Sequence, residues 1–456
     1  MTSASPRRLG RHLSPRRLGR HLFPRRLGRH FVNSPPLTTG LVGLAVLLTA
    51  LALWPTGFAR NPVTEFNLFV LLVALAMGAV DLAVHRTWRQ PEAGIVQPLR
   101  LIPGRILSRT LMNKLAGTLG VVALALILYR GADIYRAPWY GTFLDQFHMA
   151  LPWLVPLSLV YVAALHCISV KAGDHLESFG RVLLTLGREG DRAQAADFAL
   201  IWLVKLFFLP LMYGYAVDDW LFFFREPFPD GSFRTVYEYL YRFVFFVDVI
   251  FAIIGYALSL RLTNAHVRWP ERTFRGWAVC LMCYMPFWQV IGRDFLAYED
   301  SIVWGLLLEA HPVLYVAWGS TILALLMVYV GSTVCFGMRF SNLTYRGTVW
   351  QGPYALVRHP AYICKNASMW MVQLPFLAAA PGEAMANTLA LAGIGLLYFL
   401  RARHEEACCA EARDYRLYRR FMDRHGLRPR LIRAVRGWRP APAFTSALGP
   451  RGTGAG

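Results

Sequence analysis

Charge is scarce in this sequence. Only 16% of its 456 residues are Asp, Glu, Lys or Arg, against 55% hydrophobic, and that balance excludes an ordinary soluble enzyme. Acidic residues are scarcer still, 27 against 48 Lys plus Arg, for a formal net charge of +21. Such an excess could serve a nucleic acid, but most of it falls in the tails and in alternate loops between apolar runs. Membrane topology explains it, and no nucleic-acid partner is expected. Cysteines number seven, and the one C-x-x-C pair, Cys280 and Cys283, lies in an apolar run with no second pair, so no metal site is expected. Cys408 and Cys409 would sit near the inner membrane face, where palmitoylation is conceivable, although free buried thiols are the plainer reading. No small-residue cleavage pattern follows the first long apolar run, which ends at Phe58, so a removed signal peptide is not expected. The triplets at Asn342 and Asn366 match a glycosylation acceptor, but they fall on the cytoplasmic side and read as chance.

What is present is a series of apolar runs, each near the ~20 residues that span ~30 Å of hydrocarbon. They lie at 38–59, 64–85, 112–130, 147–170, 197–224, 239–261, 274–292 and 311–336. Two shorter runs, 367–380 and 385–400, suggest a tight hairpin around Pro381 and Gly382 whose arms are too short to span fully. The expected fold is an all-α polytopic membrane protein of about ten transmembrane helices. With the N-terminus inside, segments 1–37, 86–114, 171–196, 261–275, 337–366 and 401–456 carry 40 Lys plus Arg, while the intervening outer segments carry 7. That alternation is the positive-inside pattern, and it puts both termini in the cytoplasm. The protein is expected to be multi-pass in a bacterial inner membrane. Residues 1–31 repeat a nine-residue unit, with Pro6, Pro15 and Pro24 each followed by RRLGRH. Such a tract cannot bury a core and reads as a disordered tail, or as a polybasic arm held on anionic lipid.

Ionisable residues inside apolar runs are costly and therefore functional candidates. Lys205 and Asp248 are two, either paired with one another or separately accommodated, the lysine by snorkelling and the aspartate by a bond to a neighbouring helix. Between Lys171 and Gln194, Leu176, Phe179, Val182, Leu183 and Leu186 are spaced for one face of a helix. This segment would lie on the inner membrane surface or pack on protein.

The most polar, turn-rich stretch with apolar runs on both sides is 346–362, RGTVWQGPYALVRHPAY. Gly352 and Pro353 break the chain there, and Arg358, His359 and Pro360 set a fixed cation, a titratable imidazole and an expected helix stop side by side. A second polar cluster follows at 401–418, with Glu405 and Glu406 adjacent and Tyr415 and Tyr418 beyond. Two polar clusters flanking one membrane hairpin suggest one site, with His359 and Glu405 in the same pocket.

Gly352, Tyr354, Arg358, His359, Pro360 and Tyr362, followed by Glu405, Glu406, Tyr415 and Tyr418, resemble the two motifs of the integral-membrane methyltransferases. That family includes isoprenylcysteine carboxyl methyltransferases and phospholipid N-methyltransferases, and the resemblance covers roughly residues 335–430. It implies S-adenosylmethionine as cofactor, held at the cytosolic face by Gly352, Tyr354, His359, Pro360, Tyr362, Glu405 and Glu406, and a lipidic or prenylated acceptor. Carboxylates suit a ribose diol or an amino group, tyrosine faces suit adenine or a methyl cation, and Arg358 or Arg346 would hold an anionic acceptor as the catalytic cations. Three positions depart from the motifs: Arg346 stands where a histidine is usual, Cys364 where glycine is, and Cys409 where leucine is. The second motif is also about two residues short. Cofactor binding is thus better supported than acceptor identity. Two other functions remain open, an NADPH-dependent membrane reductase of the sterol reductase type and a non-catalytic lipid-binding protein. The expected organisation is a tail to 36, a membrane domain over 37–336, a methyltransferase-like domain over 337–435, and a tail over 436–456.

Overall fold

A computed structural model describes residues 37–54, 61–225, 229, 231–295, 303–378 and 380–435. The repeat tract and the C-terminal tail lie outside the described residues. Apolar sequence and the need to satisfy every backbone amide and carbonyl without water make the described chain predominantly helical. The helices are α1 (Leu37–Leu53), α2 (Pro62–Ala79), α3 (Arg109–Gly131), α4 (Gly141–Ile168), α5 (His175–Leu184), α6 (Arg192–Arg225) and α7 (Phe233–Ala257). They continue with α8 (Phe274–Leu281), α9 (Trp304–Leu308), α10 (Pro312–Val334), α11 (Pro360–Gln373), α12 (Pro381–Cys409), α13 (Arg413–His425) and α14 (Leu427–Val435). Among the described residues, the one sheet is an antiparallel pair of two-residue strands, β1 (Trp269–Pro270) and β2 (Thr344–Tyr345). Local chemistry sets the helix starts: the Asn61, Ser108, Asp174, Ser232 and Thr273 side chains each accept from a first-turn amide of the helix that follows.

Seven described helices are long and apolar enough to cross a membrane: Pro62–Val84, which adds a π turn to α2, then α3, Pro138–Ile168, Arg192–Phe223, α7, α10 and α12. The chain is an all-α polytopic membrane protein. Helix α1 is apolar but 17 residues long, or ~26 Å at ~1.5 Å per residue.

Two expected spans differ in form. The run 274–292 is not one helix: α8 stops at Leu281, a turn containing Pro286 follows, and a π-helical turn occupies Gln289–Phe295. Proline removes a backbone donor there and prevents a continuous ladder. This broken segment carries the chain from the α7 end near β1 to the opposite end of the bundle, where Trp304 packs on Tyr237 and Tyr315. The expected short hairpin is asymmetric. Helix α11 starts at Pro360 and ends at Gln373, where Leu374 turns left-handed, whereas α12 runs 29 residues and can span fully.

The core is aromatic. Trp220, Phe66, Phe69, Phe208, Phe246 and Phe251 are fully buried where α2, α6 and α7 meet, with Trp220 and Phe69 centroids 4.9 Å apart. The amphipathic segment packs on protein, since a Cβ on Gly117 or Gly180 would strike the backbone of the facing helix in the α3–α5 crossing. Lys205 and Asp248 are not paired. Lys205 lies over the Trp202 ring at 4.5 Å, while Asp248 accepts from Tyr329, at 2.6 Å, and from Thr333, both on α10.

Candidate functional site

Three pieces of chain assemble the site: the turn after α10, the start of α11, and the end of α12 with α13 folded back on it. The turn depends on Gly352, whose φ of +59° suits glycine and whose Cβ, if present, would lie 2.6 Å from Cys335 Sγ. Pro360 is not a helix stop. It occupies the first turn of α11, where a missing N–H is harmless, so His359 is held at the helix entrance. Helix α13 buries Tyr415, Tyr418, Phe421 and Met422 on one face. The Tyr418 hydroxyl donates to the Tyr354 carbonyl at 2.8 Å, and the Leu427 amide donates to the Leu356 carbonyl at 2.7 Å. The turn is thereby clamped beneath α13 and α14.

The two polar clusters meet although 47 positions separate His359 from Glu406. His359 Nε2 lies 3.0 Å from Glu406 Oε1, and His359 Nδ1 lies 3.8 Å from Glu405 Oε2. Tyr362 donates to Glu405 Oε1 at 2.9 Å, with its ring stacked on His359 at 5.7 Å. Arg358 bridges Glu406, at 3.2 Å, and Asp423 of α13, at 3.3 Å. Glu405 is the more available carboxylate, its side chain 36% exposed against 12% for Glu406. Beside Glu405 lies a small hollow lined by Glu271, Thr344, Arg401, His404 and Cys408.

Two other expected site residues are turned to different tasks. Arg346 is buried, and its terminal nitrogens donate to the Gly255 carbonyl and the Ser259 hydroxyl, both at 2.7 Å, so it holds the end of α7. Burial, opposed by the neighbouring Tyr256, lowers its pKa to about 10. Tyr354 packs edge-on to Phe336 with centroids 5.6 Å apart, and burial, with the Glu405 charge nearby, pushes its phenol well above the usual range. It remains a neutral support for the turn.

Sequence reasoning missed four participants, Asn342, Tyr284, Arg401 and Lys365. Arg401 donates to Asn342 Oδ1 at 2.6 Å and to the Tyr284 hydroxyl at 3.1 Å, and its guanidinium stands 5.1 Å from both the Tyr284 and Tyr362 ring centres. Lys365 lies 5.6–5.8 Å from the ring centres of Phe245, Tyr329 and Tyr398. The signal for them is intramembrane charge, but both cations fall just outside the apolar runs 367–380 and 385–400, whereas the helices extend from Pro360 and to Cys409. Among the described residues, no group of three or more His, Cys, Asp or Glu side chains is placed to hold a metal ion. Comparison with protein-family models, curated proteins and solved structures finds no significant match.

Proposed function

We propose that this protein is an S-adenosylmethionine-dependent methyltransferase acting on a lipidic or prenylated acceptor at the cytoplasmic membrane face. The observation that carries the reading is the direct contact of the two motif elements, Tyr362 with Glu405 and His359 with Glu406. The residue set fits the cofactor's parts: an exposed carboxylate for a ribose diol or ammonium group, the imidazole or a cation for a carboxylate, and the Tyr362 ring beside them. When bound, that cofactor supplies an electrophilic methyl group on a sulfonium. Glu405 is the binding carboxylate, oriented by Tyr362. Glu406, His359 and Arg358 form a bonded chain that ties α12 to α11 and α13 and keeps Glu405 in place. Methyl transfer asks the protein for position and exclusion of water rather than for a nucleophile, and a site between helix ends, roofed by α13, supplies both. The cytoplasmic assignment rests on the 40 to 7 distribution of Lys plus Arg.

The test is thermal unfolding of the detergent-solubilised protein with S-adenosylhomocysteine or NADPH. A ligand at ~100 times its Kd stabilises by ~2.7 kcal/mol, enough to raise Tm measurably. Stabilisation by S-adenosylhomocysteine alone is expected. Stabilisation by NADPH alone would assign a reductase, and stabilisation by neither would favour a lipid-binding protein without catalysis.

A further inference from the structure

Lys365 and Arg401 are the two cations behind the motif cluster, toward the membrane interior. Lys365 is five residues along α11 from Pro360, ~7.5 Å at ~1.5 Å per residue, and its cage is built from the spans α7, α10 and α12. Arg401 belongs to α12 and also lines the hollow. Among the described residues, no carboxylate lies within the 4.0 Å ion-pair distance of either cation. Two acids stand nearby without pairing with either cation: Asp248, whose oxygens accept from the Tyr329 and Thr333 hydroxyls, and Glu405, one helical turn from Arg401, which accepts from Tyr362. Arginine and lysine in a membrane interior are costly unless an anion compensates them, so this arrangement leaves room for a negative charge from outside the chain. A ligand whose head reaches that depth must have an apolar remainder, and Ile363 of α11 and Phe399 of α12 are both more than half exposed on the adjoining helix surfaces.

We propose that Lys365 and Arg401 receive the anionic head, carboxylate or phosphate, of an amphiphile that enters from the membrane. This rests on the methyltransferase reading only in naming that amphiphile as the acceptor. In place of Arg346 and Arg358, engaged by α7 and by Glu406 and Asp423, the acceptor would be held by cations without carboxylate partners. Tyr362, which touches both the Arg401 guanidinium and Glu405, joins the head-group end to the cofactor end.

The experiment measures displacement of a fluorescent fatty acid from the full-length protein in dodecyl maltoside, without S-adenosylhomocysteine, by palmitate, hexadecyl phosphate and methyl palmitate. At least one anion is expected to bind ten-fold or more tightly than the ester, and the tighter of the two identifies the head group. Lys365→Gln should abolish the preference and Lys365→Arg should keep it. Equal binding of ester and anions by the wild-type protein, or a preference that survives Lys365→Gln, overturns the proposal. If Lys365→Gln does not fold, acetylation of Lys365 in the wild-type protein decides: bound palmitate should slow it several-fold while the ester does not, and equal rates overturn the proposal. Because no cofactor is present, failure here is distinct from failure of S-adenosylhomocysteine to stabilise the protein.

Discussion

Adjacent carboxylates in one motif carry unequal duties. Glu406 is engaged by His359 and Arg358, whereas Glu405 keeps an exposed side chain at the hollow. Glu405→Gln is therefore expected to weaken S-adenosylhomocysteine binding by ~1.5–3 kcal/mol, the cost of losing a charged hydrogen bond, with little change in Tm. Glu406→Gln should lower Tm as well, since it removes the charged acceptor that Arg358 and His359 share. Isothermal calorimetry checks both, and a Glu405→Gln, Glu406→Gln double variant with unchanged affinity would remove the pair from the site. A second carboxylate contributes to the acid limb of stability. Asp174 caps α5 and accepts from Lys114 at 2.8 Å and Arg261 at 3.2 Å. Burial pushes its pKa up, but the Lys114 and Arg261 charges and its hydrogen bonds outweigh burial, and it lies below the ordinary 3.8. A depressed folded pKa means that Asp174 stabilises above pH ~4 and that its contribution disappears as pH falls through the folded value. Asp174→Asn should thus lower Tm at pH 7 and approach wild type below pH ~3. A Tm difference that stays constant down to that pH would contradict the linkage.

At the scale of elements, the α3–α5 crossing is set by small residues. A Cβ on Gly180 would fall 1.7 Å from the Asn113 carbonyl oxygen, so Gly180→Val must push the helices apart and should cost ~1–3 kcal/mol or more, read as a fall in Tm. Gly78 in α2 has nothing within 4 Å of where a methyl group would stand, so Gly78→Ala should instead stabilise by ~0.5–1 kcal/mol. Equal Tm changes for the two would show that the crossing is not close-packed. The same elements show what the sequence could reveal. Apolar length located α2, α3, α4, α6, α7 and α10, and two polar clusters bracketing one hairpin located the meeting of His359 with Glu405. Hydropathy failed where a helix outlasts its apolar stretch: α12 carries Arg401 to Cys408 on the same continuous helix, so its 29 residues looked like about sixteen. Pro360 misled in the opposite sense, because a proline that would break a helix interior is also the residue best suited to begin one. Lys205 and Asp248 fit a pairing by depth alone, but rotation about each helix axis decides contact. Asp248 faces α10, where Tyr329 and Thr333 supply hydroxyls.

For the whole molecule, the contacts that join distant segments place most of the polar connections at one end of the bundle. Thr39 bonds Asp81, Arg105 donates to the carbonyls of His166 and Ser169, Arg272 grips Asp197 and Glu411, and Arg346 holds the end of α7. The start of α1, the end of α2, the start of α3, the end of α4 and the candidate site therefore share a face. The opposite end is marked by the Trp54 and Trp220 rings, by Trp220 donating to the Pro62 carbonyl, and by Trp318 donating to the Met371 carbonyl. Aromatic residues with one polar atom suit the membrane interface. The described segments on the site-bearing face are rich in Lys and Arg and those at the opposite end poor in them, so by the positive-inside tendency the site-bearing face is the expected cytoplasmic one. A green fluorescent reporter fused after Gly456 should accordingly fluoresce in the cytoplasm, while an alkaline phosphatase inserted in the α3–α4 connection, after Gly131, should be active only outside it. Phosphatase activity from a C-terminal fusion, with none from the connection, would turn the protein over. The candidate site would then face away from the cytoplasmic cofactor pool, and the methyltransferase reading would fall with it.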